Sequence, residues 1–166
     1  MLLYFWGIAN SWREISERVR AKLVINTTTA IPPRGGDSRD FKAGVPFLLH
    51  VELDALVSRL VELRKVKAGK KPYDSLVYPY FSQLTSVLRE CFRCLRRGAE
   101  IHVMVADAAL YGVHVRTPQI LAILLKELGF AKTKCELVRR RGHRWILAKR
   151  EGSAEGLGEY HVSAVR

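Results

Sequence analysis

The sequence lacks most of the features that would assign a function directly. No apolar run reaches the roughly 18 residues of a membrane-spanning helix, so the sequence predicts no membrane span. It contains no G-x-G-x-x-G, Walker A, H-E-x-x-H or G-x-S-x-G motif, so common nucleotide-binding, zinc-protease and hydrolase signatures are not represented. The apolar start MLLYFWGIANSW has neither the basic residues nor the small-residue cleavage site of a signal peptide.

Cysteine is also scarce. Cys91, Cys94 and Cys135 are an odd number without framework spacing, which predicts a reducing, cytoplasmic location. Cys91 and Cys94 form one C-x-x-C, but no second pair completes a zinc ligand set, and Cys91 falls on an apolar helical stripe. We therefore expect these thiols to pack in a core, and we expect no metal site.

Positive charge is the most prominent feature that is present. The 28 lysines and arginines outweigh the 16 acids, which favours a polyanionic partner such as nucleic acid. Eight of the basic residues fall between Lys132 and Arg150, against one acid, Glu136. Basic side chains beside an aromatic ring suit phosphate contact with base stacking, although a solvated strand face gives the same pattern. The predicted nucleic-acid-binding residues are Arg139, Arg140, Arg141, Arg144, Trp145 and Lys149.

Apolar periodicity predicts one α/β domain over residues 1–166, with a helical, insert-like region at 1–75 and a strand and helix core at 76–166. Helices are predicted from a capping box at Ser11, over 47–67, from Tyr78 to a closing Gly98, and from Thr117 to Leu128. Strands are predicted over 100–106, 133–140 and 159–165, the last two as an antiparallel hairpin. The run 100–106 is apolar on both faces, which is typical of a central parallel strand covered on both sides.

The end of that run is the candidate site. Asp107 stops the predicted strand, and the chain turns through Tyr111 and Gly112 before the next helix. Ligands of open α/β sheets bind beyond the carboxyl ends of the strands, so we expect Asp107, Tyr111 and His114 to form the rim of a cleft. The alternative is that Asp107 only caps the following turn. His102, inside the strand, is predicted to be a hydrogen-bonded core histidine.

These segments match one known family in pattern. YPYFSQLTSVLRECFRCLRRGAEIHVMVADAALYGVHVRTPQILAILLKELGF resembles the carboxyl half of amino-group DNA methyltransferases that use S-adenosylmethionine (SAM). In that family a helix follows the catalytic loop, the fifth strand ends in a short polar segment, and another helix closes on GF before the sixth strand. LGEYHVSAVR is similar to the family's last strand, and YFWGIANSWREISERVR resembles the segment after its catalytic Ser/Asp-Pro-Pro-Tyr motif.

The resemblance implies the C-terminal part of a class I, Rossmann-like sheet that ends in an antiparallel hairpin. It implies methyl transfer from SAM, the cofactor, to an exocyclic amino group of a DNA base, as in restriction-modification systems. Asp107, Tyr111 and His114 would flank the cleft, and the basic stretch would meet the DNA backbone.

The departures from the family concern the catalytic machinery. The glycine-rich cofactor loop and the Pro-Pro-Tyr motif, which in the family precede the segment matching Tyr4 to Trp12, are missing from this chain. Pro32-Pro33 does not replace the motif, because Ile31 and Arg34 flank it where a polar acceptor and an aromatic ring are needed. No catalytic residue carries over, and the resemblance implies a truncated enzyme or one that acts with a second polypeptide. The alternatives are a non-enzymatic basic nucleic-acid-binding module and an RNA methyltransferase fragment.

Overall fold

A computed structural model of the chain describes residues 7, 9–19, 23–25, 38–66, 72–141 and 157–166. Its helices are α1 (Trp12–Glu14, continued by a π-helical turn over Ile15–Val19), α2 (His50–Val66), α3 (Val77–Cys94) and α4 (Thr117–Glu127). Short 3-10 segments cover Ser38–Gly44, Phe47–Leu49 and Tyr73–Leu76. The strands are β1 (Glu100–Ala106), β2 (Ala108–Leu110), β3 (Val113–Val115), β4 (Ala131–Arg140) and β5 (Gly158–Val165). No helix in these ranges is both long and apolar enough to cross a membrane.

The main sheet has three strands in the order β1-β5-β4. β5 lies in the middle and is antiparallel to both neighbours, so β1 and β4 run in the same direction. Along the chain α4 connects these two strands, which makes a strand-helix-strand unit with β5 inserted between its strands. The predicted hairpin of the last two strands is confirmed, as is the mixed helix and strand composition.

The prediction that 100–106 is a central strand covered on both sides is wrong for the described part of the chain. β1 pairs with β5 alone among the described strands, and the pairing is antiparallel. Ile101 and Val103 pack toward the core, whereas Met104 on the other face is 61% exposed. The run is therefore a strand with one buried face, whose exposed face happens to include a methionine.

His102 was also predicted wrongly, because it lies on this second face and not in the core. Its side chain is 53% exposed. Nδ1 lies 3.0 Å from Nε2 of His161, with the two rings stacked, and Nε2 lies 3.0 Å from Oε2 of Glu100. The face opposite the helices thus carries polar side chains that hydrogen-bond to one another across β1 and β5.

One apolar core lies between the helices and the other face of the sheet. Leu121 and Leu124 of α4 are almost completely buried together with Phe81 of α3 and Val162 of β5. Leu53 of α2 belongs to the same cluster, so the described parts of 1–75 and 76–166 share this core. Burying each such side chain contributes about 1.5–3 kcal/mol, which makes this shared layer the main support of the sheet.

The observed helix ends agree in part with those predicted from the sequence. The Ser11 cap is confirmed, since the Glu14 backbone N–H donates to Ser11 Oγ at 3.0 Å. α3 ends at Cys94, earlier than predicted, and Gly98 instead takes a positive φ of 79° in the following turn. α4 begins at Thr117 itself, after an N-cap at Arg116 that makes no side-chain cap bond.

Candidate functional site

Asp107 directly follows β1 and is held by β5. Its carboxylate Oδ1 accepts a hydrogen bond from the Gly158 N–H at 2.8 Å, and its own N–H donates to the Gly158 carbonyl at 3.2 Å. A side chain at Gly158 would collide with its neighbours, because a Cβ there would lie 2.6 Å from side-chain atoms of both Leu137 and Tyr160. Asp107 is 3% exposed, so this buried carboxylate is fixed where the β1–β5 pairing ends.

His114 completes a pair with Asp107. The segment predicted as a turn is a short hairpin of β2 and β3, in which Tyr111 and Gly112 both have positive φ, as a two-residue type I′ turn requires. This hairpin brings His114 Nε2 to 2.9 Å from Asp107 Oδ2. An ionised carboxylate only accepts hydrogen bonds, so Nε2 carries the proton in the neutral ring and Nδ1 keeps a lone pair.

The side chains of His114 and Asp107 differ in solvent exposure, and this difference determines what the pair can do chemically. The side chain of His114 is 34% exposed, whereas that of Asp107 is 2% exposed. A buried carboxylate that fixes the tautomer of an accessible imidazole leaves one ring nitrogen able to accept a hydrogen bond or a proton from a ligand. The hydrogen bonds of the Asp107 carboxylate thus go to Gly158 and His114.

Tyr111, the third predicted rim residue, lies at the tip of the β2–β3 hairpin. Its ring packs against Tyr73, with the ring centroids 4.9 Å apart. Burial raises the pKa of its hydroxyl. The structure therefore joins Asp107 to His114 directly and places the Tyr111 ring on the segment that precedes α3.

The arginines at the end of β4 lie at the same end of the sheet as Asp107. Arg139 Nε is 2.6 Å from Glu159 Oε2, and Arg141 Nε is 3.3 Å from Glu159 Oε1. The hydrogen bond from Arg139 holds the pKa of Glu159 below its usual range. Since Glu159 follows Gly158, the basic end of β4 and the Asp107 carboxylate are neighbours through β5.

Arg140, also predicted to bind nucleic acid, is the last residue of β4 and is exposed. The remaining predicted residues, Arg144, Trp145 and Lys149, lie outside the described residues. The chain leaves the sheet at Arg141 and re-enters it at Leu157, whose carbonyl accepts the Arg141 N–H at 2.7 Å. Both ends of the intervening segment are thus attached at the carboxyl ends of β1 and β4.

A cavity of about 190 Å³ lies between the start of α3 and the β2–β3 hairpin. Its lining is almost entirely apolar, and includes Leu76, Phe81, Ala106, Leu110 and Val115. Tyr80 and Thr117 bring the two side-chain hydroxyls of the lining, and burial raises the pKa of Tyr80. Asp107 and His114 do not line this cavity.

This cavity does not fit SAM. Pockets for ligands of that size measure roughly 300–1,000 Å³ and carry polar groups that fix the ligand. The cavity described above is smaller, and its lining contains no charged side chain. This cavity is therefore not a site for the methyl donor.

Metal binding by the three described cysteines finds no support either. The prediction that the thiols pack in a core is wrong for Cys94, which is exposed, whereas Cys91 and Cys135 are partly buried. Burial raises the pKa of the Cys135 thiol, which disfavours the thiolate that would bind a metal. Within the described residues no three His, Cys, Asp or Glu side chains are grouped so that they could hold a metal ion.

Sequence reasoning missed two residues that organise this end of the sheet, Gly158 and Glu159. Gly158 contacts Asp107 across 51 positions of sequence, a separation at which no local spacing pattern exists. Only the short LGE at the start of the last strand carried any signal. No family model, curated protein or solved structure matches this chain, so the geometry of the site is the available evidence about its function.

Proposed function

We propose that this chain is the carboxyl half of a SAM-dependent amino-group DNA methyltransferase, the half that faces the DNA. The observation that carries the proposal is the convergence of the Asp107–His114 pair and the basic end of β4 at one end of the sheet. In open α/β sheets that end is where ligands bind. The resemblance assigned the same segments to the edge of the cleft and to the DNA backbone contact.

The order of the strands also supports the proposal. The resemblance implies a fifth strand, a helix, a sixth strand and a final hairpin strand, and β1, α4, β4 and β5 follow in that order. β1 and β4 run parallel to one another, as consecutive strands of a Rossmann-like sheet do. The outer edge of β1 has no partner among the described strands and offers its backbone groups to a further strand.

Donor binding belongs, in this proposal, to a second polypeptide that carries the N-terminal half. The cavity beside the β2–β3 hairpin does not fit SAM, and the chain has neither the glycine-rich loop nor the Pro-Pro-Tyr motif. The partner's strand would pair with the free edge of β1, which places the partner's active site at the end of the sheet that holds Asp107.

The residues of this chain would orient the DNA at that site. Asp107 fixes the imidazole of His114, and Nδ1 of His114 is a hydrogen-bond acceptor for an exocyclic amino group that is held near it. The arginines 139–141, with Arg144 and Lys149, would contact phosphates, and Trp145 would stack on a base. Contacts of this kind carry no preference for sequence, so base recognition is assigned to the partner half.

The proposal is tested by expressing this chain with the product of the reading frame immediately upstream. The measurement is the content of N6-methyladenine and N4-methylcytosine in DNA, by mass spectrometry, for the chain alone, the partner alone and both together. We expect methylation only with both, and at least a tenfold loss of initial rate with His114→Gln. His161→Gln, which replaces a partly buried histidine on the other face of the sheet, is the matched control. Absence of methylation, together with absence of saturable SAM binding by the mixture, would overturn the proposal.

A non-enzymatic nucleic-acid-binding module is the second candidate. It is favoured by exposed cations at the amino ends of β1 and β4, the end of the sheet opposite Asp107: Arg96, Arg97, Lys132 and Lys134. DNA affinity that falls steeply with salt and does not respond to SAM would indicate this module. Methyl transfer to RNA in the same experiment would indicate the RNA methyltransferase alternative.

A further inference from the structure

Basic residues from three separate segments meet at the amino ends of β1 and β4. The Gly98 N–H donates to the Arg166 carbonyl at 2.7 Å, and the Arg166 N–H donates to the Ala99 carbonyl at 2.9 Å. Val165 pairs with Glu100 on one side and with Ala131 on the other. Arg97 before β1, Arg166 after β5 and Lys132 in β4 therefore lie on three adjacent chain segments. Strands are about 4.8 Å apart, so the backbones of the outer two are about 10 Å apart.

The basic side chains at this end form fewer ion pairs than the arginines beside Glu159. Four exposed cations, Arg96, Arg97, Lys132 and Lys134, take part in no ion pair within the part of the chain that the structure describes. The nearby carboxylate of Glu100 is hydrogen-bonded to His102. Four cations beside this one carboxylate repel one another, and binding of a polyanion reduces that repulsion.

The backbone of β4 is irregular where two of these cations stand. The pairing with β5 shifts between Ala131 and Lys134, and Lys132 has a positive φ of 50°. A β-bulge changes the direction in which the side chains of a strand point, and left-handed backbone at a residue other than glycine costs free energy. The backbone strain therefore lies in the segment that sets the directions of the Lys132 and Lys134 side chains.

A small concavity opens between these two lysines. Its volume is about 100 Å³, and its lining comprises Glu100, Lys132, Lys134, Ser163, Ala164 and Val165. Two ammonium groups and the Ser163 hydroxyl are hydrogen-bond donors suited to one phosphate group, while Glu100 on the wall is held by His102.

We propose that this end of the sheet is a second DNA-binding surface, on which the Lys132–Lys134 concavity holds one backbone phosphate and Arg96 and Arg97 hold its neighbours. The surface lies at the opposite end of β1 from Asp107. The proposal therefore goes beyond the methyltransferase function and does not depend on SAM or on a partner.

The test is binding of the full chain to a fluorescent duplex of random sequence, measured by anisotropy between 50 and 200 mM salt. Lys132→Gln/Lys134→Gln removes two positive charges and keeps a polar, unbranched side chain that is one atom shorter. We expect about tenfold weaker binding, and a slope of log affinity against log salt that is shallower by about 0.9, the value for loss of one phosphate contact. Arg59→Gln/Lys65→Gln on α2 is the matched control, because it removes the same charge from an exposed surface elsewhere and should change affinity less than twofold.

The outcomes separate this surface from the site at Asp107. Equal losses for the two double variants would overturn the proposal, since net charge alone would then explain the binding. Loss of binding to phosphatidylserine vesicles without loss of DNA binding would also overturn it. If the strained Lys132 does not accept glutamine, as judged by circular dichroism, Lys134→Gln with Arg96→Gln and Arg97→Gln makes the same test. Arg140→Gln/Arg144→Gln reports separately on the proposed function.

Discussion

The two ends of the three-stranded sheet use charge in opposite ways. At the carboxyl ends of β1 and β4, Arg139 and Arg141 share Glu159, and the buried Asp107 binds both Gly158 and His114. At the amino ends, Lys132 and Lys134 take part in no ion pair among the described residues. Net charge alone thus does not locate a ligand. At the carboxyl end, ion pairs and hydrogen bonds hold the polar groups in position. At the amino end, the two lysines lack such ion pairs among the described residues.

The two ends are also anchored differently. The amino end is held by apolar packing, in which Phe92 lies against Phe130 with ring centroids 4.9 Å apart and the Arg166 guanidinium lies over the Phe92 ring. The carboxyl end is held by the hydrogen bonds of one buried carboxylate. Apolar packing remains stabilising beneath a solvated, charged surface. A buried carboxylate, by contrast, destabilises the fold unless its hydrogen-bond partners are all present.

The largest expected effect is loss of the aromatic anchor. Phe130→Ala removes a side chain that is 4% exposed, and we expect it to lower the free energy of unfolding by about 3–5 kcal/mol. Urea denaturation measures the change. Phe47→Ala, at a position that is 84% exposed, is the control and should change stability little. A loss below 1 kcal/mol for Phe130→Ala would show that packing is not what holds the amino end.

A smaller effect is expected at the carboxyl end. Asp107→Ala leaves the buried Gly158 N–H without its acceptor, which should cost about 1–3 kcal/mol of the free energy of unfolding. Asp107→Asn keeps one oxygen acceptor and should cost less, because the Gly158 bond can persist. Urea denaturation of both variants, with amide hydrogen exchange at Gly158, makes the comparison. Equal stability of the alanine and asparagine variants would contradict the anchoring role.

The smallest effect concerns the charge that Glu159 neutralises. Glu159→Gln releases Arg139 and Arg141 from their shared partner, and we expect DNA affinity to rise about threefold. Anisotropy with the random duplex measures the change, and Glu62→Gln on α2 is the control. Unchanged affinity relative to this control would place the DNA away from the end of β4.

The pH dependence of the same ion pair follows from the lowered pKa of Glu159. The group is more acidic in the folded protein, so its stabilising contribution is fully present above the ordinary glutamate pKa of about 4.3. That contribution is lost as the pH falls below this value and passes through the lowered pKa. Comparing the pH dependence of unfolding for wild type and Glu159→Gln isolates it, and the two curves should converge only at the acidic end.

The sequence predicted those features that depend on neighbours along the chain. The Ser11 cap, the α3 stripe through Phe81 and Leu88, and the last two strands each follow from a spacing of a few residues. Their positions were predictable because capping and amphipathic periodicity act over one or two turns or along one strand. The turn at Tyr111-Gly112 was predicted as well, although the short strands on either side of it were not.

The features that decide the candidate site lie beyond this range. The hydrophobic run 100–106 was taken as covered on both faces, because composition does not reveal whether the side chains of His102 and Met104 meet another layer. Their exposure depends on which elements pack on the second face of the sheet. The Asp107–His114 pair was predicted only as a shared neighbourhood, and its hydrogen bond required the β2–β3 hairpin.

The sequence by itself determined the four helices, the strands β1, β4 and β5, the final hairpin, the strongly basic charge and the polar segment that follows β1. Only the tertiary structure decided that Asp107 meets Gly158 and that Arg139 and Arg141 are paired with Glu159. It also decided that the cations free of ion pairs stand at the opposite end of the sheet. The physical reason is that secondary structure depends on interactions between residues close in sequence, whereas burial and ion pairing depend on contacts between strands that the chain brings together from distant positions.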